Sequence, residues 1–168
     1  MSTHLDCLVV FEEPSKADHV CLELKQVFEE HHLTFLPDSN VIFNDWNGQE
    51  KEPLVSPSEE AAISAILSWP ALGGTEYVFA GHRLTIFLFG LEDYRVDAIS
   101  ISTIAGNYGN GETDKSGFDE LIQATHRLLK AKRTLVDYEL LSPNSFWIQE
   151  VKRVRDGRLE GEYLMDLR

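Results

Sequence analysis

The chain has 168 residues, of which 43% are apolar and 26% charged, proportions of a globular domain that exclude disordered, collagen-like and coiled-coil classes. One domain of this length buries roughly two thirds of the surface its unfolded form exposes and needs no covalent staple. Its 28 acidic residues against 15 basic ones give a formal charge of −13, which disfavours partners held by neutralising phosphates, so neither nucleic acid nor an anionic membrane is an expected partner.

Residues 5–11 (LDCLVVF) read as a mostly buried strand that stops at Glu12-Glu13-Pro14. Ser15 is placed to cap a helix with Asp18 at its third position. Ala17, Val20, Cys21, Leu24, Val27 and Phe28 then recur at three- and four-residue spacing, one core-facing stripe that stops near His31-His32. Partial alternation over residues 33–46, broken at Pro37-Asp38-Ser39-Asn40, predicts two short strands, and residues 44–53 (NDWNGQEKEP) predict a loop.

Ser56-Pro57-Ser58-Glu59 opens a second helix, striped by Ala62, Ile63, Ile66 and Leu67 and ended by Trp69-Pro70 and Gly73-Gly74. Residues 77–80, 83–89 and 95–104 predict an antiparallel meander with short links at 80–83 and 91–94. Residues 118–132 carry a helical stripe with acids early and bases late. Residues 134–141, 146–154 and 162–167 predict closing strands, with turns at Ser142-Pro143-Asn144 and Asp156-Gly157. The expected architecture is a single α+β domain: a mostly antiparallel sheet of five to eight strands with two or three helices packed mainly on one face.

Gly106-Asn107-Tyr108-Gly109-Asn110-Gly111 lies between a strand and a helix, where backbone N–H groups can meet a phosphate. Its spacing fits neither the dinucleotide fingerprint nor the P-loop, and Glu112, Asp114, Asp119 and Glu120 would repel an anion. No cofactor is expected. The six histidines include no pair at i, i+4, so no metal site is expected either. No nucleophile elbow is present, and Cys7 and Cys21 sit in apolar stripes as buried thiols. The acid pairs read as solvated surface, and the bases at Arg127, Lys130, Lys132, Arg133, Lys152, Arg153 and Arg155 as complements to helix ends and nearby acids.

The acidity is front-loaded: 14 acids stand against 4 bases up to Leu84, and 14 against 11 after it. The segment around Trp46 sets an aromatic among acids and amides, as a hot spot for a basic partner would, although Trp46 folding back on the core is the plainer alternative. Asp45, Trp46, Glu50, Glu52 and Tyr108 are the expected partner-binding residues. The expected function is that of an acidic, bacterial immunity-type inhibitor, a monomer or weak dimer that binds a basic toxin domain such as a cationic nuclease. An adaptor or assembly subunit would instead expose a long hydrophobic surface. A small hydrolase or transferase, using Asp97 or His82 beside the meander, would need a deep pocket holding perturbed titratable groups. The leading residues MSTHLDCLVVFEEP lack a basic region and a long apolar core, so a cytoplasmic location is expected.

Overall fold

The computed structural model describes residues 4–44, 50–67, 72–90, 95–107, 112–140, 147–157 and 161–168. Along the chain run β1 (His4–Lys16), α1 (Ala17–Glu30), β2 (Thr34–Phe35), β3 (Ser39–Asn44), β4 (Glu50–Ser56), α2 (Glu59–Leu67) and β5 (Leu72–Phe79). Then come β6 (His82–Gly90), β7 (Arg95–Ile104), α3 (Glu112–Leu128), β8 (Ala131–Tyr138), α4 (Trp147–Arg155) and β9 (Met165–Leu167). The fold is α+β: the nine strands among the described residues join one sheet in the order β4-β3-β5-β6-β7-β1-β8-β9, with β2 also beside β5. Every pairing is antiparallel. The α+β architecture with a mostly antiparallel sheet is as expected; β2 and β9 are its shortest strands among the described residues, of two and three residues.

The first strand formed by the chain is central in the sheet. Leu5, Cys7, Val9 and Phe11 join the core under α1, α2 and α3, while Leu8 and Val10 point to the other face and pack with Val151 and Val154 of α4. Burial on both faces explains the unbroken apolar run. Three helices thus share one face and α4 covers part of the other. Near its end β1 leaves its partner: the register with β7 passes from Val10↔Ala98 to Ser15↔Val96, so residues 11–14 stand against Asp97 alone. Ser15 is therefore a strand residue rather than a helix cap; Lys16 occupies that position and makes no side-chain cap bond. The stripe on α1 is buried as expected at Val20, Cys21, Leu24, Val27 and Phe28.

In α2 the cap is Ser58, whose Oγ accepts the Ala61 N–H at 3.2 Å, two residues later than Ser56. Gly73 and Gly74 do not end that helix; they belong to β5. A Cβ on Gly73 would come within 3.0 Å of Ile66 Cγ2, and one on Gly74 would lie 2.5 Å from the Ile86 carbonyl and overlap the Phe87 ring. The glycines let α2 and β6 approach the strand closely. Ala80 and Gly81, with φ of 50° and 79°, form the two-residue hairpin link between Phe79 and His82, and both positive φ values match a type I′ turn.

Several boundaries and one element type differ from expectation. Residues 50–53 are not loop but the start of β4, an edge strand. Its register with β3 passes from Val41↔Leu54 to Phe43↔Lys51, which leaves Glu52 and Pro53 as a bulge against Ile42. The third helix begins at Glu112 and stops at Leu128, because Lys130 takes φ of 50° and the chain turns at once into β8. Residues 147–155 form a helix, not a strand. Val151 and Val154, three apart, face the sheet while Lys152 and Arg153 stay exposed, a pattern only a 3.6-residue period satisfies. Asp156-Gly157 is the end of that helix: the Gly157 N–H donates to the Val154 carbonyl at 3.2 Å with φ of 69°.

Candidate functional site

An open cleft lies beside the segment where β1 parts from β7. The departing segment turns Glu12 and Glu13 outward beside the first turns of α1, and an opening of ≈ 310 Å³ results. Phe11 and Val20 line its floor, and Glu12, Glu13, His19, Glu23 and Lys130 surround it. The His19 ring lies 3.2 Å from the Glu23 carboxylate and Lys132 lies 3.9 Å from Glu12, both at exposed positions where such pairs hold weakly.

Beside this cleft runs the outward face of α1. Residues two apart on a helix point to opposite sides. With Leu24 only 3% exposed, Leu22 consequently faces solvent at 71%. Asp18 and Gln26 lie one turn away on either side and Glu29 a further turn along, all exposed. Leu22 was not among the expected binding residues. Its signal was present in the sequence as a leucine that breaks the polar side of an otherwise regular amphipathic pattern.

Of the expected partner-binding residues, Asp45, Trp46 and Tyr108 lie outside the described residues. Glu50 and Glu52 fall on β4, at one edge of the sheet.

The groups offered for catalysis have structural work. Arg155 at the end of α4 donates to the carboxylate of Asp97, to the Asp97 carbonyl at 3.1 Å and to the Phe11 carbonyl at 3.2 Å. It fills the gap where β1 and β7 part, and Asp97 is its counter-ion rather than an acid in a pocket. His82 closes the hairpin after Gly81. Burial, reinforced by Asp6, pushes the Cys7 thiol far up, and burial with Asp18 pushes Cys21 up to about 11; neither is an activated nucleophile. Ser102 donates to Asp6 at 2.7 Å. Ser100, between Leu8 and Phe87 in the register, has a buried hydroxyl with no hydrogen-bond partner and no base beside it among its strand neighbours.

A second cavity, of ≈ 20 Å³, lies between α1, α2 and the sheet, room for about one water. Above it the Tyr77 hydroxyl donates to Glu59 at 3.3 Å, and burial followed by the Glu59 charge pushes the phenol up. Among the described residues no three His, Cys, Asp or Glu side chains are grouped to hold a metal ion, and no helix is long and apolar enough to cross a membrane. A scan against protein families, a search of curated proteins and a search of solved structures each find no match.

Proposed function

We propose that this protein is an acidic binding inhibitor of the immunity type, which neutralises a basic toxin domain, such as a cationic nuclease, by occupying its functional surface. The observation that carries this reading is the cleft beside α1 lined by Glu12, Glu13 and Glu23 together with His19 and Lys130, most of it drawn from the half of the chain with 14 acids against 4 bases. Such a surface attracts a cationic partner from a distance and repels nucleic acid, so it suits fast capture of a nuclease rather than its substrate.

The test is co-expression with the products of neighbouring reading frames. One of these alone should arrest growth and this chain should restore it. The association rate of the purified pair should fall roughly tenfold or more from low to physiological salt. An absence of rescue with every neighbour, or a rate indifferent to salt, refutes the proposal.

A further inference from the structure

We infer that the outer edge of β8 is a binding site for an extended segment with an acid between two apolar residues, filled here by the chain's own β9, and that a second copy of the chain fills it by exchanging that strand. The inference stands apart from the toxin-binding reading and gives the molecule a site of self-association. Three rungs make the pairing: Thr134 opposite Leu167, Leu135 opposite Asp166 and Val136 opposite Met165. Asp166 therefore shares a face with Arg133, two residues along β8 from its own partner, a diagonal that a long side chain spans. Arg133 grips it with a fork, Nε donating to Oδ1 and Nη2 to Oδ2, each at 2.9 Å, and the Tyr163 ring lies 5.9 Å from the guanidinium.

The two sides of this contact are unequal. On β8, Arg133, Thr134, Leu135 and Val136 are all buried, and the Arg133 side chain is 4% exposed against 27% for Asp166. No residue of 161–168 is buried. On leaving, β9 gives up little packing of its own, whereas β8 is left with a buried guanidinium stripped of this carboxylate, a large cost. A site of that kind changes occupants rather than standing empty. It also dictates the next occupant. A slip of one residue sets an apolar side chain where Arg133 requires the acid, and the fork favours a carboxylate over a neutral amide. Met165, Asp166 and Leu167 of another copy meet both demands in the same register. Exchange of an identical element is a low-cost route to a dimer, and here it closes a two-fold pair in which Asp166 of each copy sits on the partner's Arg133.

The test uses the full chain and a fluorescent peptide of residues 161–168, GEYLMDLR. Asp166→Arg drives the chain's own β9 from Arg133 and keeps the edge of β8; circular dichroism and cooperative melting establish that it folds, and Asp166→Asn takes its place if it does not. The expected result is that the peptide binds this variant, and binds about tenfold or more weakly when it carries Asp166→Asn itself. By light scattering, the parent chain, held at rising concentration until its mass is steady, should pass from monomer to dimer. Excess peptide and Asp166→Arg should each abolish the dimer. Added salt should favour it by screening the −13 charge of each copy, the reverse of the salt dependence of toxin capture. A folded variant that ignores the peptide, or that takes the asparagine form equally well, overturns the strand site. Peptide binding with no dimer of the parent at any concentration, or a dimer that Asp166→Arg and excess peptide leave intact, overturns the second copy as occupant. Either failure leaves the toxin-binding reading untouched, and a failed rescue in that test leaves this site standing.

Discussion

Replacing Arg155 by methionine keeps most of the apolar stem of the side chain and deletes its donors, so it isolates what holds α4 to the sheet. In the native chain the guanidinium meets two backbone carbonyls and the Asp97 carboxylate, and the two side chains are 22% and 14% exposed. A bond from a charged donor contributes about 1.5 kcal/mol or more, and stranding a largely buried carboxylate adds a similar cost. With some of this returned by water reaching the partly exposed group, the expected loss is about 3 kcal/mol. For a domain of this size that lowers Tm by roughly 6–12 °C. Urea unfolding followed by circular dichroism should show the midpoint falling with an unchanged slope. The double change Arg155→Met with Asp97→Asn should recover about 1 kcal/mol, because it removes the charge left behind. A loss under 1 kcal/mol, or strictly additive effects, would refute the view that this cluster closes the gap between β1 and β7.

Two further outcomes follow from the packing. Gly74→Ala should cost roughly 1–3 kcal/mol, since its Cβ meets the Ile86 carbonyl at 2.5 Å and backbone cannot rotate away; a neutral result in thermal melts would contradict the close approach of β5 and β6. His126, whose Nδ1 lies 2.8 Å from the Thr134 hydroxyl, is held below its ordinary pKa by burial and then by Arg127. The folded chain therefore resists its protonation while the unfolded chain accepts it near 6.5. Stability should be full above that pH and decline as pH falls from 6.5 toward the lowered folded-state value. His126→Gln should flatten this part of the stability profile, and an unchanged slope would refute the attribution.

The elements legible in the sequence are those whose pattern has one physical reading. The bounds 95–104 of β7 follow from its β-branched run, and the stripe on α1 from its three- and four-residue spacing. The sequence of α4 favours a strand because β-branched and aromatic residues cluster around Trp147 and Ile148, a local preference that packing of Val151 and Val154 on the second face of the sheet overrides. Gly73-Gly74 reads as a stop signal because paired glycines usually mark breaks, whereas here the missing side chains make room for Ile66 and Phe87. The candidate site was legible in its charge but not in its place. Acids at Glu12 and Glu13 announce a solvated turn, yet only the departure of β1 from β7 sets them beside Glu23. Leu22 drew no notice because a single exposed leucine is common on soluble proteins.

The position of β1 has a further consequence, in time rather than space. His4 pairs with Ile104, and Leu5 with both Thr103 and Tyr138, so β1 must wait for β7 and β8 to be synthesised before either neighbour exists. Until then its apolar run, LDCLVVF, has no native partner strand. Contacts of such separation slow the search for the native state. During that interval the nascent chain offers a sticky segment to chaperones and to other nascent copies alike, so yield on expression should depend more on this strand than on any surface residue.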